Sequence, residues 1–150
     1  MKQVVLDTNV LCLADSSDFD AIGVLVDIER HASLALDVES EILREYRSNL
    51  GNGHGLSAKW LVKIFAQAGK TWVYSHKLSA KTQTKLRQLQ FDPNDWKFVG
   101  VATKTAPDSR LIVNTVDSDW AVEVLEYLER ELDVRVVDCR SASRLIASEG

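Results

Sequence analysis

Five short apolar runs, at residues 4–6, 34–36, 72–74, 111–113 and 134–137, each lie next to a segment with helical spacing, and this alternation constrains the fold more than any other feature of the chain. A strand cannot turn straight back into a parallel neighbour; it needs a crossover, which a helix provides. The pattern therefore implies an α/β fold, a three-layer α/β/α sandwich whose mostly parallel five-stranded sheet is covered on both faces. The spacing predicts helices over 19–32, 39–50, 57–69, 79–90, 94–104, 119–132 and 140–148. Asp18, Ser57 and Asp117 or Ser118 stand where polar caps would open three of them. Gly51-Asn52-Gly53-His54-Gly55 reads as a flexible break and Phe91-Asp92-Pro93-Asn94-Asp95 as a turn into the next helix. Neither has the make-up of an interdomain linker. With no internal repeat and no low-complexity tract, residues 1–150 read as one domain, long enough to bury a core without disulfides or structural metals.

A content of 45% hydrophobic and 27% charged residues is the balance of a soluble globular chain and excludes disorder and coiled coil. No run reaches the length of a membrane span, and Met1-Lys2-Gln3 leads straight into a strand without a signal-peptide pattern, so a cytoplasmic protein is expected. Cys12 and Cys139 lack disulfide-framework or zinc spacing and read as reduced core thiols. The net charge of −4 argues weakly against a nucleic-acid partner, but it is unevenly placed. No acid occurs between Tyr46 and Phe91, where Arg47, Lys59, Lys63, Lys70, Lys77, Lys81, Lys85 and Arg87 give +8. Ten of the 18 bases and all 22 acids lie elsewhere, a balance of −12. Such a split suggests one flank that meets a polyanion and another region that gathers carboxylates, with a solvated basic helix face as the plain alternative.

The acids gather where chemistry is expected. In an open parallel sheet, ligands bind beyond the carboxyl ends of the strands. The first strand ends in Asp7-Thr8-Asn9, and the fourth runs into Asn114-Thr115-Val116-Asp117-Ser118-Asp119. The two ends share one edge, on neighbouring strands if the strand order reverses beside the first. Either acid alone reads as a helix cap; together they read as a site. In the helix after the second strand, Ile42, Leu43, Tyr46 and Leu50 form the buried stripe, which puts Glu45 beside it and Glu41 farther toward solvent. Asp95 opens the helix that begins at Trp96, with Asp92 competing for the cap. Carboxylates held close together raise one another's pKa unless cations neutralise them, and Mg²⁺ or Mn²⁺, which take oxygen ligands, are the simplest cofactors. His31, His54 and His76 share no ligand spacing, which speaks against a zinc site, and only His54 in its Gly-rich loop is held open.

Four segments carry a resemblance: Val4-Val5-Leu6-Asp7-Thr8-Asn9-Val10-Leu11, Glu41-Ile42-Leu43-Arg44-Glu45-Tyr46, Asp95-Trp96-Lys97-Phe98-Val99-Gly100-Val101-Ala102 and Thr115-Val116-Asp117-Ser118-Asp119-Trp120. In this order the chain resembles the PIN domain family, metal-dependent ribonucleases found among prokaryotic toxins and RNA-processing enzymes. The resemblance implies catalytic, metal-ligating roles for Asp7, Glu45, Asp95 and Asp117, with Asp119 as an additional metal ligand and Asn9 and Thr115 in support. Val116 stands where many members have Gly, and the basic stretch is longer than in the most compact toxin-like members.

The implied activity is that of a Mg²⁺- or Mn²⁺-dependent endoribonuclease, hydrolysing phosphodiester bonds of single-stranded or structured RNA to a 5′-phosphate and a 3′-hydroxyl without a covalent intermediate. Arg47, Lys59, Lys63, Lys81, Lys85 and Arg87 would hold the nucleic-acid backbone. Trp60 and Trp72 would stack on unpaired bases, although aromatics at such spacing are more often core. DNA as substrate, a toxin role with an antitoxin protein as partner, a processing or defence role, and a homodimer all stay open. A haloacid-dehalogenase-like phosphatase requires a second Asp where Asn9 stands, and a response-regulator receiver requires an Asp in the acid-free middle. The remaining rival is a catalytically inactive PIN-like module that binds RNA or protein. The nuclease reading requires the acids to converge, and a lysine ion-paired into their middle would remove its basis.

Overall fold

The computed structural model describes residues 1–51, 53–115 and 118–147. Strands β1 (Lys2–Leu6), β2 (Ala32–Asp37), β3 (Thr71–Tyr74), β4 (Leu111–Val113) and β5 (Arg135–Val137) form one parallel sheet in the order β3-β2-β1-β4-β5. Strands β2 and β4 are buried along their whole length, as uninterrupted apolar runs in a parallel sheet must be. The edge strand β3 leaves Trp72 and Val73 exposed. The helices are α1 (Thr8–Asp15), α2 (Phe19–His31), α3 (Glu41–Asn49), α4 (Leu56–Ala66), α5 (Ala80–Gln88), α6 (Trp96–Lys104), α7 (Val122–Leu132) and α8 (Cys139–Ala147), with a short 3-10 turn over Pro93–Asp95. The three-layer α/β/α architecture expected from the alternation is therefore present.

The chain steps from β1 to β2 to β3 in one direction and then crosses to β4 and β5 on the other side of β1. Right-handed crossovers place the helices of the first two connections on one face and those of the later ones on the opposite face, while α8 returns to pack on α2. Strand order thus reverses between β1 and β4, and a crevice opens beyond their carboxyl ends. Asp7 lies at that point, its N–H bonded to the Val113 carbonyl at 2.9 Å.

One helix falls outside the expectation. The sequence pattern assigns none between β1 and Phe19, yet α1 occupies Thr8–Asp15. Thr, Asn and Val at its start are weak helix formers, which hides it from propensity. Tertiary burial of Val10, Leu11 and Ala14 and a cap from Asp7, whose carboxylate accepts the Asn9 N–H at 2.9 Å, form it anyway. Asp18 caps α2 as expected, accepting the Ala21 N–H at 2.9 Å. Ser57 does not cap α4. It lies inside that helix and donates its hydroxyl to the Leu11 carbonyl at 2.6 Å, while Asp15 of α1 accepts the Ser57 N–H at 2.8 Å. The α7 helix starts at Val122 without a side-chain cap; Ser118 instead accepts the Trp120 N–H at 3.1 Å, and Asp117 lies outside the described residues.

Candidate active site at the carboxyl edge of the sheet

The α3 helix is fixed to the end of β1 by a buried bond: the Tyr46 hydroxyl donates to the Leu6 carbonyl at 2.6 Å. Ile42 and Tyr46, four residues apart, face the core, so Glu45 is carried at the border between core and solvent, next to the Asp7–Thr8 turn. The Thr8 hydroxyl donates to Glu45 Oε2, and the Lys97 ammonium pairs with Glu45 Oε1 at 2.8 Å. Lys97 also donates to the Asn94 carbonyl. Neither Thr8 nor Lys97 is among the residues expected from sequence. The signal for Lys97 is its place two residues after Asp95, on the first turn of α6.

Asp95 reaches this edge from the 3-10 turn. Asp92 takes the capping role, accepting the Asn94 N–H at 3.0 Å, and Asp95 makes no cap bond to α6. The competition between the two acids is thus resolved in a way that leaves the Asp95 carboxylate to the site. Burial first, then repulsion from Asp7, Asp92 and Glu45, pushes the Asp95 carboxyl up to about 6, with Lys97 offsetting part of the effect. Burial likewise raises Asp7, against the Asn9 N–H bond, with Glu45 and the exposed Asp119 adding to the rise and Lys97 opposing it. Asp7 thus feels the charges of Glu45 and Asp119, and Asp95 those of Asp7 and Glu45, while Asp117 lies outside the described residues.

Two details depart from the expected convergence. Among the described residues, Asp7, Glu45 and Asp95 do not bring ligand atoms within 4.8 Å of one another as a group. Lys97 has also entered the site, where its charge acts on Asp7 and Asp95 as well as on Glu45, which weighs against an acidic pocket neutralised by cations alone. Its only ion pair is with Glu45, and Asp7 and Asp95 take part in no ion pair among the described residues. Glu45 and Lys97 face an open depression of about 480 Å³ shared with Glu41, Arg44, Ser48 and Asn94.

The supporting residues divide. Asn9 contributes its backbone N–H to Asp7 while the residue itself is exposed. Thr115 donates its N–H to the Asn114 side-chain carbonyl at 2.8 Å. Asn114, buried and unanticipated, organises this turn, since its amide also donates to Ser118 Oγ at 2.9 Å.

The basic residues do not form the single flank that their clustering in sequence suggests. Lys59 and Lys63 lie on α4, where Lys63 is paired with Glu29 of α2 at 3.0 Å. Lys81, Lys85 and Arg87 lie on α5, in the opposite helical layer, where Lys81 and Lys85 line a cleft of about 620 Å³ with Tyr127 and Arg130. Arg87 sits over the Trp96 ring at 5.3 Å. Arg47 is exposed on α3, two residues beyond Glu45 and nearest in sequence to the acids. Trp60 is core, its indole N–H donating to the Leu25 carbonyl at 2.9 Å, so base stacking is left to Trp72 alone.

A second cluster was not legible in ligand spacing. Asp37, Glu39 and His76 each place one potential ligand atom within 4.8 Å of the others, an arrangement that could hold a metal ion. The clue in sequence is positional: Asp37 closes β2, its register partner Tyr74 closes β3, and His76 follows two residues later. Of the other histidines, His54 is exposed in its loop and joins no such cluster among the described residues. Cys12 and Cys139 are unpaired, and burial raises both thiols, Cys139 to about 11, which keeps them protonated and inert.

The raised Asp95 carboxyl has a consequence for stability. Between roughly pH 4 and 6 the unfolded carboxyl has lost its proton while the folded one retains it, so the metal-free fold loses stability as pH rises through that window. Asp95→Asn is expected to remove the loss. In EDTA at pH 8 the variant should melt about 3 °C above the parent, roughly 1 kcal/mol once solvent screening of a half-exposed group is allowed for, with the gap closing near pH 4. Equal melting temperatures at pH 8 would show that Asp95 is not crowded by the other acids. In comparison with known proteins, no family model, no curated protein and no solved structure matches this chain.

Proposed function

We propose that the protein is a PIN-like metal-dependent ribonuclease whose site is built from Asp7, Glu45, Asp95 and Asp119, with Asp117 as the remaining acid. The observation that carries this reading is the gathering of Asp7, Glu45 and Asp95 at the one point in the sheet where strand order reverses, with Asp7 and Glu45 both repelling the Asp95 carboxylate. A protein gains nothing in stability by collecting buried carboxylates there, and a cation that takes oxygen ligands is the natural complement. In kind the donor set suits Mg²⁺ or Mn²⁺: it is all carboxylate, and among the described residues Asp7 and Asp95 take part in no ion pair.

When bound, such an ion supplies an activated water and screens the charge of the phosphodiester. The chain's own residues set the geometry. Asp7 is held through one oxygen by the Asn9 N–H, which leaves the second to a cation. Glu45 is aimed by the Thr8 hydroxyl and by the Tyr46 tether of its helix. Lys97, next to the open depression, is the cation placed to meet a phosphate oxygen there, which it reaches by releasing Glu45.

The Lys97–Glu45 pair also favours a second reading, a PIN-like module that binds RNA without cutting, because the lysine already supplies part of the positive charge that a metal would bring. One assay separates the two. Purified protein incubated with single-stranded RNA and Mn²⁺ is expected to release products bearing 5′-phosphates, and EDTA is expected to stop the reaction. RNA retained in a mobility-shift assay but left intact with Mn²⁺ would establish the binding module instead.

A further inference from the structure

We infer that Asp37, Glu39, Glu41 and His76 form a second cation site, separate from the proposed nuclease centre and suited to an ion that accepts an imidazole nitrogen, such as Zn²⁺, Co²⁺ or Mn²⁺, rather than to Mg²⁺. The first ground is geometry. His76 Nε2 lies 2.5 Å from Glu41 Oε2, 3.8 Å from Asp37 Oδ2 and 3.9 Å from Glu39 Oε1. Ligand atoms around a tetrahedral zinc ion with bonds of about 2.0–2.1 Å stand roughly 3.3 Å apart, so shifts of about half an ångström bring Asp37 and Glu39 to that spacing from His76, while the half-exposed Glu41, outside the group of three whose ligand atoms lie within 4.8 Å of one another, has to swing to join them.

The second ground is an unsatisfied atom. His76 Nε2 is shut off from water and has no hydrogen-bond partner, although carboxylates surround it. Its close neighbour is the Glu41 carboxylate, an ion-pair contact at 2.5 Å that does not count as a hydrogen bond. A buried polar atom in that condition points to a group missing from its neighbourhood.

The third ground is the support behind the ligands. Asp37 is fully buried at its side chain, and its oxygens accept the N–H groups of Glu41 and Ile42 at 2.9 and 3.0 Å. Glu39 accepts the Ser75 hydroxyl at 2.9 Å and the His76 N–H at 3.1 Å. The backbone of His76 is itself pressed against Gly100 of α6, so the loop that presents the imidazole is fixed from behind. Ligands oriented in this way by other groups are the mark of a metal site rather than of a loose acidic surface. Three carboxylates and an imidazole make a mixed oxygen and nitrogen set, which favours a transition metal over Mg²⁺.

Cobalt(II) titration of the full-length protein, followed by visible d–d absorption, tests the site. The parent is expected to show a Co²⁺ site with an imidazole and carboxylate spectrum, whereas His76→Gln and Glu39→Gln are each expected to lose at least tenfold in affinity for that signal. Melting in EDTA checks that both variants fold, and Glu39→Gln decides the matter if His76→Gln does not. Unchanged cobalt binding in the folded His76→Gln and Glu39→Gln variants would overturn the inference. Because the readout is binding, the result stands whether or not the protein cleaves RNA.

Discussion

Asp7→Asn is expected to reduce Mn²⁺-dependent RNA cleavage by roughly a hundredfold or more while leaving the fold intact. The two halves of this expectation come from two jobs done by one side chain. As a cap, Asp7 accepts the Asn9 N–H through a single oxygen, and asparagine offers an equivalent carbonyl in the same place, one of the best replacements at such a position. As a metal ligand, it is irreplaceable by an amide, because the second oxygen and the negative charge both disappear. Melting in EDTA should therefore show the variant equal to the parent or slightly above it, since burial and the charges of Glu45 and Asp119 already work against the ionised carboxyl. Full activity in Asp7→Asn prepared free of contaminating nuclease would falsify the proposed function. A large drop in melting temperature without metal would show that the capping bond is what the residue is for.

Gly100→Ala is expected to be the most disruptive addition of one methyl group in the protein. A Cβ built at Gly100 would stand 1.8 Å from the His76 carbonyl oxygen and 2.5 Å from its carbon. These are backbone atoms, which cannot swing aside as a lysine tip would, so either α6 or the chain around His76 must retreat. Overpacking of this kind costs roughly 3 kcal/mol, a fall of about 6–12 °C in melting temperature for a domain of this size. Gly23→Ala is the natural control. Its added Cβ would meet Ser143 Oγ at 3.6 Å, an ordinary contact, and alanine is the better helix former inside α2. It should leave the melting temperature unchanged or raise it by a few degrees. If Gly100→Ala melts with the parent, α6 is not pinned at this point and the fixed presentation of His76 is lost with it.

The sheet was legible in the sequence because a strand buried on both faces must be apolar at every position, and residues 4–6, 34–36 and 111–113 obey that rule. Asp7, Glu45 and Asp95 were legible for a related reason: strand ends and the border of a helical stripe are predictable positions, and chemistry at a sheet edge uses them. The α1 helix was hidden because its stability comes from partners distant in sequence, Glu45 and Ser57 among them. Lys97 was hidden because a cation two residues from an acid says nothing of which acid it will meet; it met the one 52 residues away. His76 was missed because searching for repeated spacing detects ligands on one element, whereas its partners come from a neighbouring strand. The basic stretch misled in the opposite direction. Residues continuous in sequence were distributed by a crossover to two different layers, so a positive run in the chain did not become a positive face.

Glu41 and Glu45 are one turn apart on α3, and each belongs to a different group of acids. The helix is short and tethered at its start by Asp37 and near its middle by Tyr46, so it is held as one strut. A cation that displaces Glu41 from the His76 nitrogen would therefore bias where Glu45 rests. If that bias alters binding in the crevice beside Asp7, thermodynamic reciprocity requires an occupant there to alter the affinity at His76 by the same factor. The two ends of this strut would then report on each other, and a protein saturated at one should titrate differently at the other.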